Sequence, residues 1–125
     1  MSILRSSRPD DISAITSIYR HHVLHGTGTF ETSPPELEEM ARRRTEVLER
    51  GLPYLVAESD GRVVGYAYCN WFKPRAAYRF SAEDSVYVEA GREGTGIGRA
   101  LLAELLRRAE AAGVRVATCG TPPAV

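Results

Sequence analysis

Apolar residues recur along the chain with two different periods, and the places where the period changes predict its elements. Residues 3–7 read as a short first strand. Pro9, Asp10 and Asp11 then open a helix: proline suits the first turn, and carboxylates there complement the partial positive charge of a helix start. Ile12, Ile15, Ile18, Tyr19 and Val23 follow at helical spacing and make its apolar face. Gly26 and Gly28 bound a loop that reaches Phe30. Ser33-Pro34-Pro35-Glu36 has capping-box spacing with proline at the first helical position, so a second helix is expected to start there. Its inner face would be Leu37, Met40, Val47 and Leu48, and Gly51 its C-cap.

Alternating runs at 54–58 and 62–68 flank Asp60-Gly61, the signal of a tight hairpin. Residues 71–79 read as a linker, because Pro74 bars them from a central strand. A strand is expected over 82–89, a helix over 99–112 closed by Gly113, and a last strand over 114–119. The order βααβββαβ implies one α/β domain, more closely α+β, with a mixed sheet and helices on its faces.

Composition narrows the class. The 125 residues suffice for one core, with 43% hydrophobic and 26% charged residues, ordinary values for a globular chain. Formal net charge is zero, so nothing in the balance favours nucleic acid or an anionic membrane. No apolar run approaches the ~20 residues of a membrane span, and the N-terminus does not read as a signal peptide. Cys69 and Cys119 have neither metal nor disulfide spacing, which suits a reduced, cytoplasmic setting.

The chemistry concentrates in residues 84–102. Val86, Tyr87 and Val88 suit a strand, and Leu101, Leu102, Leu105, Leu106 and Ala109 recur at helical spacing. Between them Gly94, Gly96 and Gly98 remove Cβ atoms, so that amide N–H groups can converge on an anion at a helix start. Ile97 stands where a P-loop counted from Gly91 needs lysine. The dinucleotide pattern G-x-G-x-x-G ends on Arg99 or Leu101 instead of glycine. What remains is a loop that holds pyrophosphate by its backbone alone.

Tyr87-Val88, then Glu93-Gly94-Thr95-Gly96-Ile97-Gly98 and Leu101-Leu102, resemble the coenzyme A segment of the GNAT superfamily of N-acetyltransferases. The family pattern [QR]-x-x-G-x-[GA] is matched except at its first position, where Glu93 stands and Arg92 precedes it. Thr29-Phe30-Glu31-Thr32, Gly65-Tyr66-Ala67-Tyr68 and Ala77-Tyr78-Arg79-Phe80 resemble the branch that acetylates phosphinothricin and methionine sulfoximine or sulfone. The resemblance runs from about residue 4 to 115 and implies the GNAT fold. It also implies acetyl-CoA as co-substrate and no metal. The partner is then a small amino-acid-like amine, with neither nucleic acid nor membrane, and there is room for a homodimer.

The same resemblance implies the site. Taken alone, Glu83 is more simply a strand-end glutamate. The family position makes it the base that removes the ammonium proton before the amine attacks. The backbone at Val86, Tyr87 and Val88 would hold the pantetheine arm and polarise the thioester, and Gly94, Thr95, Gly96, Ile97, Gly98 and Arg99 would cradle pyrophosphate. Phe30, Glu31, Trp71, Arg75, Tyr78 and Arg79 become acceptor-pocket candidates, an arginine suiting an anionic head. His21 and His25 stand at i, i+4, but no companion ligand completes a metal motif. Arg42, Arg43 and Arg44 read as a solvated face. Beyond residue 114 the chain does not resemble the family's further helix and strands. A rival expectation is therefore a truncated, inactive fragment that at most binds coenzyme A or a partner.

Overall fold

A computed structural model of the chain describes residues 2–25, 32–71, 81–92, 94–113 and 115–117. Strand β1 (Ser2–Ser6) leads through a 3-10 turn (Pro9–Asp11) into helix α1 (Ile12–Leu24), which is followed by α2 (Leu37–Glu49). Strands β2 (Tyr54–Ser59), β3 (Arg62–Trp71) and β4 (Ser81–Val88) come next, then α3 (Ile97–Ala111) and β5 (Arg115–Ala117). The sheet runs β1-β2-β3-β4-β5, antiparallel except for the parallel β4–β5 pair. The element order and the mixed sheet are those expected.

The two faces of the sheet are covered differently. Gly65 looks toward α3, where a Cβ would meet Leu101 Cδ1 at 3.0 Å and Ile97 Cγ2 at 3.2 Å. Tyr66, the next residue, stacks on Tyr87, which meets Tyr19 of α1 edge-on. Side chains alternate along a strand, so α3 lies on one face and α1 on the other. Ile15, Ile18, Tyr19 and Val23 close the α1 side, and Leu101, Leu105 and Ala109 the α3 side, all buried as their spacing predicts. Truncating Leu101 or Leu105 to alanine would cost about 2–5 kcal/mol.

The hairpin signal holds: Asp60 and Gly61 have φ of 53° and 75°, the paired positive values of a type I′ turn. Helix α2 departs from expectation. It begins at Leu37 with Glu36 extended at its cap, and no side-chain capping bond forms. Proline disfavours helical backbone in the residue before it, so Pro35 bars Pro34 from a helical turn. The inner face of α2 is also narrower. Met40 and Val47 are buried, while Leu37 and Leu48 are 52% and 41% exposed. Arg44 is not simply solvated: it donates to Ser7 Oγ at 2.8 Å and to Ser7 O at 2.9 Å, tying α2 to the end of β1. Trp71, expected in a linker, is the last residue of β3 and pairs with Ala82.

Asp11 has a second task besides the helix dipole. Its carboxylate takes both guanidinium nitrogens of Arg5, at 2.8 and 2.9 Å, and the Arg8 N–H at 2.7 Å. Burial alone would raise its pKa, but the Arg5 and Arg8 hydrogen bonds overcome that and hold it below the usual range.

Candidate active site

Strand β4 organises the site. Glu89 N–H donates to Val64 O at 2.8 Å, so the main-chain groups of Glu89 and Tyr87 face β3. Peptide groups alternate sides along a strand, and those of Val86 and Val88 therefore face the opposite edge. That is the edge along which β5 lies, paired with β4 only at Ser81, Ala82 and Glu83 among the described residues. The side chains of Val86, Tyr87 and Val88 are buried, so these residues offer backbone, not side chains, to a ligand.

The Val88 carbonyl has a partner that sequence reasoning missed. His22, buried at 3% exposure, brings Nε2 to 2.9 Å from Val88 O, and its ring lies 5.2 Å from that of Tyr87. The signal was available. His22 stands three residues after Tyr19 and four after Ile18, on the apolar face of α1, where a polar ring needs an acceptor.

After Val88 the chain turns sharply through successive backbone bonds. Arg92 N–H donates to Glu89 O at 3.0 Å; Thr95 N–H and Oγ1 both donate to Arg92 O, at 3.3 and 2.6 Å. The Glu89 carboxylate pairs with Arg62 and, at 3.4 Å, with Arg92. Gly91, Gly94 and Gly96 have φ of 88°, 81° and 90°, values that favour glycine. Gly91 thus shares the positive φ of Gly94 and Gly96, whereas Gly98 lies within the first turn of α3 without it. The first helical bond is Ala100 N–H to Gly96 O at 3.0 Å. The N–H groups of Ile97, Gly98 and Arg99 precede it and have no acceptor within the helix, the arrangement that binds anions at helix starts. Gly94, Thr95, Gly96 and Arg99 are exposed at this mouth, with Ile97 and Gly98 buried behind them.

Glu83 lies within β4, paired with Asn70 on one side and Ala117 on the other. Phe30, Glu31, Arg75, Tyr78 and Arg79 fall outside the described residues, as does Cys119. Cys69 is buried, and burial, helped by Asp84, pushes its thiol up to about 12. It therefore supplies no thiolate at neutral pH. His21 and His25 stack at 4.2 Å, and His25 Nδ1 lies 2.9 Å from His21 O. No described helix is long and apolar enough to cross a membrane.

A strand edge turned away from β3, a turn of positive-φ glycines and an open helix start thus follow one another along the chain, an arrangement suited to a phosphate-bearing ligand. Residues 15–124 match the acetyltransferase (GNAT) family, and the chain belongs to it. It is 53% identical to a phosphinothricin N-acetyltransferase of Alcaligenes faecalis, over 86% of this chain and 54% of that protein. It is 32% identical to an L-methionine sulfoximine/L-methionine sulfone acetyltransferase of Salmonella typhimurium, over 94% of this chain and 68% of the relative. A GNAT superfamily phosphinothricin acetyltransferase from Sinorhizobium meliloti, solved in complex with acetyl-CoA, superposes with a TM-score of 0.85 at 46% identity. That match covers 88% of this chain and 60% of the other. The chain thus spans about half the length of the Alcaligenes relative.

Proposed function

We propose that this protein transfers the acetyl group of acetyl-CoA to the α-amine of a small amino-acid-like substrate of the phosphinothricin or methionine sulfoximine and sulfone type. The observation that carries the reading is the glycine turn between β4 and α3, whose positive-φ backbone leads into three helix-start N–H groups. The pyrophosphate of the coenzyme is bound there, and the pantetheine arm runs along the outer edge of β4 beside Val86 and Val88. Glu83 accepts a proton from the substrate ammonium, which is largely protonated at pH 7. The freed nitrogen lone pair attacks the thioester carbon, and main-chain N–H groups of β4 near Val88 stabilise the oxyanion. Collapse breaks the carbon–sulfur bond, and the departing thiolate takes the second proton released from nitrogen. No covalent enzyme intermediate is needed.

Phe30, Glu31, Trp71, Arg75, Tyr78 and Arg79 belong to the acceptor pocket in this reading, with an arginine on the anionic head of the substrate. The reaction is placed in the cytoplasm, where acetyl-CoA is available. The test is calorimetric titration with acetyl-CoA, followed by release of free thiol with phosphinothricin, methionine sulfoximine and methionine sulfone as acceptors. Saturable binding with turnover of at least one acceptor is expected. Failure to bind acetyl-CoA would overturn the reading; binding without turnover would reduce it to a coenzyme-binding domain.

A further inference from the structure

The peptide unit joining Val88 to Glu89 is held at both of its polar ends. Its N–H donates to Val64 O of β3 at 2.8 Å, and its carbonyl lies 2.9 Å from His22 Nε2 of α1. A carbonyl can only accept, so His22 must carry its proton on Nε2. The unit is the last of β4 before the turn, and three residues on begins the run from Gly91 to Gly96, where the backbone repeatedly enters positive φ. A chain of such glycines does not fix its own direction, since glycine tolerates many backbone angles. The Arg92 and Thr95 bonds fix the shape of the turn internally, and its direction relative to the sheet is inherited from whatever holds its first peptide plane.

We propose that His22 is a positioning residue for the coenzyme: through Val88 O it sets the plane from which the pyrophosphate turn departs. Main-chain pairing to β3 is available to any β4 sequence, but it restrains only the N–H side of the unit. Without the second bond the peptide can rotate about its neighbouring torsions, carrying Ala90 and the glycines with it. The ring is itself well held. It is buried, tilted 59° against Tyr87 at 5.2 Å and edge-on to His21 at 5.7 Å. Tyr87 in turn meets Tyr19, one helical turn before His22 on α1, so helix and strand end are joined by rings and by a hydrogen bond. The coenzyme role rests on the reading of this turn as the pyrophosphate site; the anchoring of the turn by His22 does not.

Three measurements test the proposal on the whole 125-residue chain. In wild type, nitrogen-15 NMR of the imidazoles is expected to show His22 protonated on Nε2 at neutral pH; an unprotonated Nε2 would overturn the proposal without any variant. His22→Phe keeps ring volume and removes the donor, while His22→Gln places an amide N–H near the same point. Hydrogen exchange of the amides over residues 88–99 should quicken about tenfold in His22→Phe, the usual scale for a buried acceptor left unpaired, and return toward wild type in His22→Gln. Exchange in α2 should stay unchanged. Acetyl-CoA Kd should weaken about tenfold in His22→Phe and recover in His22→Gln, with KM for the acceptor amine unmoved. Unaltered exchange over 88–99 in His22→Phe would overturn the anchoring. Altered exchange with unaltered Kd in a wild type that binds acetyl-CoA would overturn the coenzyme role. A wild type that fails to bind would instead count against the proposed function.

Discussion

Gly65 is a position where the sheet closely approaches the start of α3, and Gly65→Ala is a discriminating small change. It lies in β3 opposite Val88, and an added Cβ would sit 3.0 Å from Leu101 Cδ1, 3.2 Å from Ile97 Cγ2 and 3.2 Å from Tyr87 O. The carbonyl oxygen belongs to a paired strand and cannot retreat. Leu101 is fully buried and Ile97 nearly so, so relief must come within the core, by rotation of these side chains or by a shift of α3 away from the sheet of a few tenths of an ångström. Overpacking of this kind costs about 1–3 kcal/mol, offset by up to about 1 kcal/mol from the reduced backbone freedom of alanine in the unfolded chain. A net loss of about 1–2 kcal/mol corresponds to a fall in Tm of about 4–10 °C for a domain of this size. Function should suffer beyond stability. Ile97 is the first residue of α3, and the N–H groups of Ile97, Gly98 and Arg99 move with it. Acetyl-CoA Kd should rise about tenfold at a temperature where the variant is still folded, the worth of weakening one charge-assisted hydrogen bond. Thermal denaturation by circular dichroism and calorimetric titration measure the two effects. An alanine variant with unchanged Tm and unchanged Kd would refute the close approach of α3 to β3 as the element that sets the helix start.

Glu83→Gln should leave acetyl-CoA affinity nearly unchanged and lower kcat about 10²–10⁴-fold, the usual worth of a general base; wild-type turnover across pH 6–9 would remove Glu83 from that role. Gly96→Val forces a β-branched residue to φ near 90°, where its Cβ would have no protein atom within 4 Å and would project from the turn. Acetyl-CoA binding should be lost with the fold retained, and an unchanged calorimetric Kd would contradict the pyrophosphate assignment. Arg75→Ala or Arg79→Ala should raise KM for phosphinothricin about tenfold or more and spare KM for acetyl-CoA, the mark of a lost ion pair to the acceptor; equal effects on both would point to misfolding. Asp11→Asn should cost about 1–3 kcal/mol at neutral pH by leaving Arg5 with Glu58 as its remaining carboxylate partner. Because folding lowers the Asp11 pKa, its contribution is full above the unfolded carboxylate value and disappears as pH falls through the folded one. The gap in stability between wild type and variant should therefore close below about pH 4, and a gap constant with pH would exclude the ion pair.

The elements were legible in the sequence wherever one physical signal dominated. The apolar stripes of α1 and α3 and the Asp60-Gly61 turn each stand where spacing and turn chemistry put them. The start of α2 was not, because two rules compete there. Capping-box spacing favours a helix from Ser33, and the proline pair forbids one before Glu36. The buried face of α2 was read too wide: the helix packs chiefly against α1 and touches β2 and β3 lightly, so it buries a narrow stripe and Leu37 and Leu48 meet solvent despite their type. Of the candidate site, the turn could be read because alternate glycines running into a helix start are a local pattern, though Gly98 proved to lie within the helix. His22 could be read from its place on the apolar face of α1 as a ring needing an acceptor, but the acceptor itself could not, since it lies 66 residues away in sequence and is a main-chain atom that leaves no trace in residue type.

That contrast bears on how β4 works. Its N–H and C=O groups on one side are committed to β3, and its side chains are committed to the two helix layers: Val86 and Val88 lie on the face that Gly65 shares with α3, and Tyr87 against α1. The strand is thus fixed in three directions; on its fourth, the main-chain edge away from β3, β5 takes residues 81–83 and His22 takes Val88 O, and in the proposed function the groups between them meet the ligand. Such an edge is ordinarily a hazard, because unpaired strand groups attract other strands. Here it ends in a turn that leads into the start of α3, so in the proposed function the groups that would bind a thioester arm and those that would bind its pyrophosphate are nearly consecutive in sequence. A ligand that joins an acyl thioester to a pyrophosphate at some distance is what such a continuous edge and turn would select, and short acyl phosphates or nucleotides alone would each fill only half of it.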